Sequence, residues 1–221
     1  MATMHNGLQT GPIAAAQNGR GEQYFAANPS SPDERRTLHV RLRGHEADVQ
    51  VSNGVFSGNR VDLGTSVLLR HAPAPSRIGN LLDLGCGWGP IALAMGFESP
   101  EADIWALDVN ERAVELTRAN AQTCALARIH AGTAGMIPTD IQFDTIWSNP
   151  PIRVGKEALH DLLMTWLPRL APDGGAYLVV QRNLGADSLI PWLAARLGSS
   201  FDVGKYASSK GYRVIEVRRH A

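Results

Sequence analysis

The sequence predicts an α/β domain in which helices cover both faces of a mostly parallel, doubly wound sheet. After residue 80, short apolar runs typical of buried strands alternate with segments of helical periodicity. The first of these runs ends in a glycine-rich turn that opens a helix, as in a parallel βαβ unit. The chain has 221 residues, enough for one domain of ordinary size, so we expect a single domain over residues 22–221.

The N-terminal part of the chain predicts two features ahead of the core. Residues 1–21 are rich in Gly, Gln, Asn and Ala without any period, which is typical of a disordered leader. Residues 38–42 and 47–51 alternate apolar and polar side chains on either side of Arg43-Gly44-His45-Glu46. We therefore expect a β-hairpin over about residues 37–52, serving as a lid or platform for a core that occupies about residues 78–219.

The core elements follow in order from their patterns. The predicted parallel strands cover residues 81–84, 104–109, 143–148 and 176–181. Helices are expected to begin near Gly89, Glu111 and Gly155. The third of these helices has the clearest apolar stripe, formed by Leu159, Leu162, Leu163, Trp166, Leu167 and Leu170.

The C-terminal third contains the remaining predicted elements. Pro168 weakens the end of the striped helix, and Pro172-Asp173-Gly174-Gly175 is expected to break the chain. A further helix fits residues 188–197, where Pro191 falls in the first turn. Residues 201–207 and 212–219 predict an antiparallel strand pair joined by a turn at residues 209–211.

Composition excludes several classes of protein. Lys and Arg together number 21, as do Asp and Glu, so the net charge is zero and the chain does not have the strong basicity of a nucleic-acid coat. Two cysteines and seven scattered histidines suggest neither a disulfide framework nor a metal site. No apolar run is long enough to span a membrane, and no signal peptide is evident, so we expect a cytoplasmic protein.

Two local clusters of basic residues stand out against this neutral balance. They consist of Arg35, Arg36, Arg41 and Arg43 near the start, and Lys205, Lys210, Arg213, Arg218 and Arg219 near the end. One interpretation is that they solvate edge strands and keep them from aggregating. The other is that they hold the backbone of a nucleic acid.

The glycine-rich turn over residues 83–89 predicts a nucleotide site. It contains Gly85, Gly87 and Gly89, which let the backbone approach a ligand that the helix N-terminus also faces. Asp108, at the end of the next strand, can accept hydrogen bonds from both hydroxyls of a ribose, and Asn110 follows it. These features together predict an adenosine-type ligand, whereas the turn alone would also fit an ordinary strand-to-helix junction.

The spacing within this turn separates two kinds of cofactor. A dinucleotide site needs Gly or Ala three residues after the second glycine, where this chain has Pro90. An acid two positions before the first glycine, Asp83, instead resembles the first motif of class I S-adenosylmethionine methyltransferases, and we expect Asp83 to face the cationic end of that cofactor, through water or directly. The acid that such enzymes place after the third strand is missing from residues 131–134, so a backbone contact would have to recognise the adenine.

Asn149-Pro150-Pro151 predicts the chemistry at the reacting end. An exocyclic amine on a base is a poor nucleophile because its lone pair is delocalised into the ring. Two acceptors on its hydrogens, the Asn149 carboxamide oxygen and the Pro150 carbonyl, favour a pyramidal and reactive geometry, while the prolines fix the turn. The motif resembles that of methyltransferases acting on planar amines in DNA, RNA and proteins, although Ile152 replaces the usual stacking aromatic residue.

A closer resemblance covers roughly residues 23–219. It rests on Phe56-Ser57, Asp62-Leu63-Gly64-Thr65, residues 83–89, residues 108–110, Asn120, residues 149–156, Gly174-Gly175 and Lys210-Gly211-Tyr212. These segments are similar to the small-methyltransferase domain of the ribosomal RNA small subunit methyltransferase C family, which forms N2-methylguanosine in 16S ribosomal RNA. Longer members carry a second, degenerate copy of the domain that this sequence lacks.

The resemblance implies a Rossmann-like, seven-strand class I methyltransferase fold with S-adenosylmethionine as cofactor. It places Gly64 and Thr65 against the cofactor, and Arg153 and Lys156 beside the substrate, together with Ile152. The substrate would be RNA, either 16S ribosomal RNA or the small ribosomal subunit, with no metal involved. Two alternatives remain: a methyltransferase of another planar amine, such as adenine N6 or a protein glutamine, and a catalytically idle RNA-binding assembly module.

Overall fold

The computed structural model describes residues 32–221, so the predicted leader over residues 1–21 lies outside the described residues. The strands are β1 (Arg35–Leu42), β2 (His45–Ser52), β3 (Asn80–Leu84), β4 (Asp103–Leu107), β5 (Ile129–Gly132), β6 (Phe143–Ser148), β7 (Leu170–Gln181), β8 (Phe201–Ser209) and β9 (Tyr212–Arg219). The α-helices are α1 (Leu63–His71), α2 (Pro90–Glu98), α3 (Glu111–Thr123), α4 (Lys156–Trp166) and α5 (Ala186–Leu197).

Seven of these strands form one sheet in the order β5-β4-β3-β6-β7-β9-β8. The five strands from β5 to β7 are parallel, and β9 runs antiparallel to both β7 and β8. This is the predicted doubly wound, seven-strand fold with its antiparallel C-terminal pair. The strand order reverses between β3 and β6, and in open sheets of this kind ligands bind at the carboxyl ends of the strands beside such a switch point.

Both faces of the sheet carry an apolar core. One face is covered by α1, α2, α3 and the hairpin, with Leu68, Leu93 and Leu116 fully buried. The other is covered by α4 and α5, with Leu163 and Leu193 fully buried. The central strand β3 is buried from its second residue onward, as expected for a parallel strand covered on both sides.

The predicted hairpin is present and packs as a platform on the helical layer. Its turn consists of Arg43 and Gly44, both with positive φ, as a two-residue type I′ turn requires. Arg43 donates to Glu98 at 2.6 Å and to the carbonyls of Leu69 and Ala72, which fixes the turn against the ends of α1 and α2. The apolar face of the hairpin joins the core beneath it.

Three stretches differ from the sequence prediction. Helix α5 begins at Ala186, so Pro191 is an interior residue of the helix and does not fall in its first turn. Helix α1 was not predicted, because Leu63–His71 is short and mixes apolar with polar residues. Residues 172–175 were expected to break the chain, but β7 runs through them from Leu170. The irregularity is nevertheless real: β7 pairs with β6 at Leu170 and again only at Gly175, and Asp173 has a positive φ of 62°.

Candidate functional site

A cavity of about 510 Å³ opens at the carboxyl ends of the parallel strands. It lies at the strand-order reversal, and its volume falls in the range of ligand pockets. Its lining includes Val55, Phe56, Asp62, Gly85, Gly87, Asp108, Val109, Asn110, Asn149, Pro150, Pro151, Ile152, Leu162, Trp166, Gln181, Leu184 and Tyr212. A smaller adjoining pocket is lined by several of the same residues together with Thr65 and Trp88.

The glycine-rich loop forms one end of the cavity. The backbone N–H groups of Gly85 and Cys86 both donate to the Leu107 carbonyl at 2.8 Å, which fastens the loop to the end of β4. Gly85 and Gly87 line the cavity and have positive φ, a conformation that favours glycine. Gly89 lies behind the loop, where an added Cβ would come within 3.0 Å of Thr117 Oγ1.

Asp108 is held in place by the loop that it faces. Its Oδ2 accepts from the Gly87 N–H and its Oδ1 from the Asn110 N–H, both at 2.9 Å. Burial raises the pKa of Asp108, and the backbone donors at Asn110 and Gly87 oppose that rise. Each oxygen retains a further lone pair that can accept a ligand hydroxyl. The predicted pairing of loop and carboxylate is therefore present in the cavity wall.

Asn110 joins the glycine-rich end of the cavity to the hairpin. Its side-chain oxygen caps α3 by accepting from the Arg112 N–H at 3.0 Å, and its amide nitrogen donates to the Gly54 carbonyl at 2.9 Å. Asn120 makes a similar link deeper in the fold, because it bonds both Gln50 on β2 and the Trp88 carbonyl in the loop. The hairpin exit is thereby fixed beside the glycine-rich loop.

Asp83 lies behind the cavity rather than in its wall. Its side chain is fully buried, and its Oδ2 accepts from the Ala92 N–H in the first turn of α2 at 2.9 Å. Its other oxygen has no hydrogen-bond partner among residues 32–221. Burial raises the pKa of Asp83 to about 8. The structure thus joins Asp83 to α2 behind the cavity lining, and its predicted contact with a cationic ligand, directly or through water, stays a prediction.

Asn149 is anchored at the end of the cavity opposite the glycine-rich loop. Its Nδ2 donates to Asp62 Oδ2 at 2.9 Å and to Thr65 Oγ1 at 3.0 Å. Because the Asp62 carboxylate is only an acceptor, the amide nitrogen must face it and the amide oxygen must face away. No group in the described chain donates to that oxygen, so it remains available to a ligand in the cavity.

The residues around Asn149 complete its support. Asp62 caps α1 and accepts from the N–H groups of Gly64 and Thr65 at 2.7 and 3.2 Å. Gly64 is required by close packing, since an added Cβ would lie 2.9 Å from Asp62 and 3.3 Å from Asn149 Oδ1. Asp62 and Thr65 therefore hold the amide, Gly64 leaves room for it, and Thr65 also lines the smaller pocket.

The prolines form the predicted turn after β6. The Pro150 carbonyl accepts from the Ile152 N–H at 2.8 Å, which leaves one of its lone pairs free. Ile152 is half-buried against the core on the α4 side and lines the cavity. Lys156 begins α4, is exposed and does not line the cavity. Arg153 lies in the short helical turn between them.

Several lining residues were missed by the sequence reasoning. Leu162 and Trp166 had been assigned to a packing stripe, while Gln181 and Leu184 had no role at all. All four line the same cavity as Asn149, as does Tyr212 of β9. Strand-terminal position is the only signal that points to Gln181, because the carboxyl ends of parallel strands meet at one edge.

Most side chains of the two basic clusters form hydrogen bonds or ion pairs with other groups of the protein. Arg43 binds helix ends as described above, and Arg219 donates to the Leu170 carbonyl at 2.6 Å. Arg35 pairs with Asp33 and Arg213 with Asp187. Among the residues of these two clusters, the exposed side chains that make no ion pair within residues 32–221 are Arg36, Arg41, Lys205 and Lys210.

Comparison with known proteins identifies the family. The model of the methyltransferase small domain matches residues 46–216, which include all but the first residue of β2, the glycine-rich loop and Asn149. The chain belongs to the methyltransferase small domain family. It is therefore a methyltransferase whose cofactor is S-adenosylmethionine.

Relatives of this family differ in length. The chain is 32% identical to the uncharacterised Bacillus subtilis protein YbxB over 90% of this chain and 98% of that one. It is 31% identical to ribosomal RNA small subunit methyltransferase C of Shewanella amazonensis over 82% of this chain and 54% of that one. It is 34% identical to ribosomal RNA large subunit methyltransferase G of Streptomyces coelicolor, over 60% of this chain and 37% of that one. The chain thus spans about a third to a half of these two named relatives.

A solved structure supports the fold assignment. A T. thermophilus N2 methyltransferase of 16S rRNA, determined with AdoMet and guanosine, superposes with a TM-score of 0.70 at 23% identity. The match covers 87% of this chain and 52% of that chain. At this level of identity the likeness concerns the methyltransferase fold.

The cavity of this small-domain methyltransferase fits S-adenosylmethionine. The cofactor supplies a methyl group on a positively charged sulfonium. Asp108 offers carboxylate oxygens to a ribose, and the Gly85–Gly87 backbone allows a close approach without a phosphate-binding cation. Within the described part of the chain, no group of three His, Cys, Asp or Glu side chains is placed to hold a metal. No helix there is long and apolar enough to cross a membrane.

Proposed function

We propose that this methyltransferase transfers a methyl group to the exocyclic N2 of a guanine in ribosomal RNA, specifically the 16S RNA of the small ribosomal subunit. In this proposal Asn149, Pro150 and Pro151 are the catalytic segment. Gly85, Gly87, Asp108 and Asn110 bind the cofactor, and Ile152 contacts the base. Arg153 and Lys156 are proposed to contact the RNA beside it.

The anchored carboxamide of Asn149 is the observation that carries the proposal. Two hydrogen bonds from its nitrogen, to Asp62 and Thr65, hold its oxygen toward the cavity before any substrate arrives. A preorganised acceptor stabilises charge that develops on an amine hydrogen without reorganisation during the reaction. This arrangement suits a planar amine and needs no strong base, because the nitrogen becomes acidic only after methylation.

The second acceptor comes from the turn that the prolines make. The Pro150 carbonyl keeps one free lone pair, and Pro151 fixes the backbone beyond it. Together the two acceptors can hold both hydrogens of an exocyclic amine and leave its lone pair directed at the methyl group. The apolar side chains of Ile152 and Leu162 cover the face of the base without aromatic stacking.

The relatives supply the RNA part of the proposal. Both named relatives, methyltransferases C and G, are ribosomal RNA methyltransferases, and the T. thermophilus structure is a complex with AdoMet and guanosine. A guanine in structured RNA has to leave its stack to reach such a cavity. The exposed residues Arg41, Lys205 and Lys210 are available for its backbone.

Mass mapping of ribosomal RNA nucleosides tests this function. RNA from cells that lack the gene should lose one N2-methylguanosine of 16S RNA, and the purified protein should restore it on RNA or subunits from those cells. Loss of a methylated adenine, or of methylglutamine from a protein, would instead support another planar amine as substrate. Undiminished methylation together with no cofactor binding would leave the idle assembly module.

A further inference from the structure

Gln181 is a polar side chain in the cavity wall that has no role so far in binding the cofactor or in supporting Asn149. It is the last residue of β7, is half-buried and lines the cavity. No hydrogen bond joins its carboxamide to another group in residues 32–221. A half-buried amide without protein partners, in a cavity wall, is placed to bond a ligand, since polar groups removed from water favour hydrogen-bonded states.

The fold directs Gln181 to the same side of the sheet as Asn149. Along β7, Tyr177 and Val179 pack with the α1 side and Val180 packs with the α4 side. This alternation puts Gln181 on the α1 side, where Asn149 bonds Asp62 and Thr65. Its direct partner on β9 is Tyr212, which also lines the cavity.

The register gives the spacing between the two amides. Ser148 on β6 is opposite Leu178 on β7, so Asn149 follows at the level of Val179 and Gln181 lies two residues further on. With usual strand spacing and rise, their Cα atoms are about 8 Å apart. Two side chains of this length can then approach neighbouring positions along one edge of a purine.

The chemistry of guanine matches these two positions. When its 2-amino group lies at Asn149, the next groups along the same edge are the N1–H donor and the O6 acceptor. A carboxamide has an acceptor oxygen and a donor nitrogen, so Gln181 can bond both groups at once. An adenine whose 6-amino group lies at Asn149 offers only the N1 acceptor on that edge, which allows a single bond.

We propose that Gln181 is a specificity-determining residue that reads the N1–H and O6 groups of the target guanine. This inference rests on the proposed function and adds the means by which the site selects its base. In this proposal Asn149 binds the 2-amino group that is methylated, whereas Gln181 binds the N1–H and O6 groups, which are not methylated. Leu184 and Ile152 also line the cavity and would supply apolar contacts that do not distinguish the bases.

Calorimetry with two nucleosides tests this reading. The protein is saturated with S-adenosylhomocysteine and titrated with guanosine or with 2-aminopurine riboside, which keeps the 2-amino group but lacks both N1–H and O6. The wild type should bind guanosine roughly 10- to 100-fold more tightly, the range expected for a bidentate base contact. Gln181→Leu should bind both nucleosides with nearly equal, weak affinity.

A control and a second assay keep the outcomes distinct. Gln142→Leu changes an exposed glutamine outside the cavity lining and should keep the wild-type preference. A guanosine preference that survives in Gln181→Leu, or a wild type that has none, would overturn the role of Gln181. Methyl transfer to ribosomal RNA from the gene-deleted cells is measured alongside. Transfer by the wild type without a nucleoside preference would leave the proposed function standing, whereas no transfer to RNA would refute that function itself.

Discussion

The two ends of the cavity are built in different ways. The proposed cofactor end is largely backbone: Gly85 and Gly87 allow a close approach, and the neighbouring Asp108 is held by N–H groups of its own βαβ unit. The proposed target end consists of side chains from separate segments, namely Asn149 after β6, Asp62 before α1 and Gln181 at the end of β7. We infer that the geometry of the first end follows from residues close together in sequence. The geometry of the second end depends on how the sheet brings distant segments together.

Asn149→Ala should break the target end and leave the cofactor end intact. Methyl transfer is expected to fall by about 100-fold or more, as on removal of a preorganised acceptor or donor at a reacting group. Cofactor affinity should stay near that of the wild type, because Asp108 and the glycine-rich loop are untouched. Turnover with ribosomal RNA and calorimetry with S-adenosylmethionine measure the two quantities separately.

The matched control for this change is Asn183→Ala, which removes an exposed carboxamide outside the cavity lining. It should retain both turnover and cofactor binding. Undiminished turnover in Asn149→Ala would contradict the role given to the anchored carboxamide. A joint loss of transfer and cofactor binding would mean that Asn149 supports the whole cavity rather than one end.

The same contrast explains what the sequence could predict. The glycine-rich loop, Asp108 and Asn149-Pro150-Pro151 were recognisable because each is a short segment at the end of an apolar strand. The strands of the parallel core, the hairpin and the antiparallel C-terminal pair were also predictable from alternation and turn residues. Asp62 received no role of its own, because its contact with Asn149 joins residues that are 87 positions apart.

Some details of the structure could not be predicted from local sequence patterns, for physical reasons. Residues 172–175 have turn chemistry, but β7 continues through them because the parallel pairing with β6 resumes at Gly175. Asp83 has the spacing of a cofactor ligand; the strand buries it and α2 binds one of its oxygens, and its contact with the cofactor, directly or through water, stays a prediction. Gln181 carries no motif, and the role proposed for it is recognisable only when the ends of β6 and β7 are seen together.

Asp108→Asn should weaken the cofactor end while sparing the target end. An amide in place of the carboxylate loses charge-assisted acceptance from a ribose, so affinity for S-adenosylmethionine is expected to fall about tenfold or more. Turnover at saturating cofactor should change much less, because Asn149 keeps its anchors. Equilibrium binding and kcat are the measurements, with the exposed Asp140→Asn as control. An unaltered dissociation constant would argue against a ribose contact at Asp108.

Asp83→Asn should have the smallest effect on cofactor binding, because Asp83 does not line the cavity. Its effect should instead appear in stability. Burial raises the pKa of this carboxyl from an ordinary value of 3.8 to about 8, so between these values the folded state binds a proton that the unfolded state releases.

The stabilisation from that proton is complete below the unfolded pKa and is lost as the pH rises through about 8. The free energy of unfolding of the wild type, measured with denaturant, should therefore fall as the pH rises from 3.8 to about 8. Asp83→Asn should show a flatter pH profile, because its side chain at position 83 does not titrate. The exposed Asp161→Asn should keep the wild-type slope. A large loss of cofactor affinity in Asp83→Asn, with no change in the pH profile, would instead mean that Asp83 contributes to cofactor binding. The cofactor end would then include a buried residue behind the glycine-rich loop as well as the residues that line the cavity.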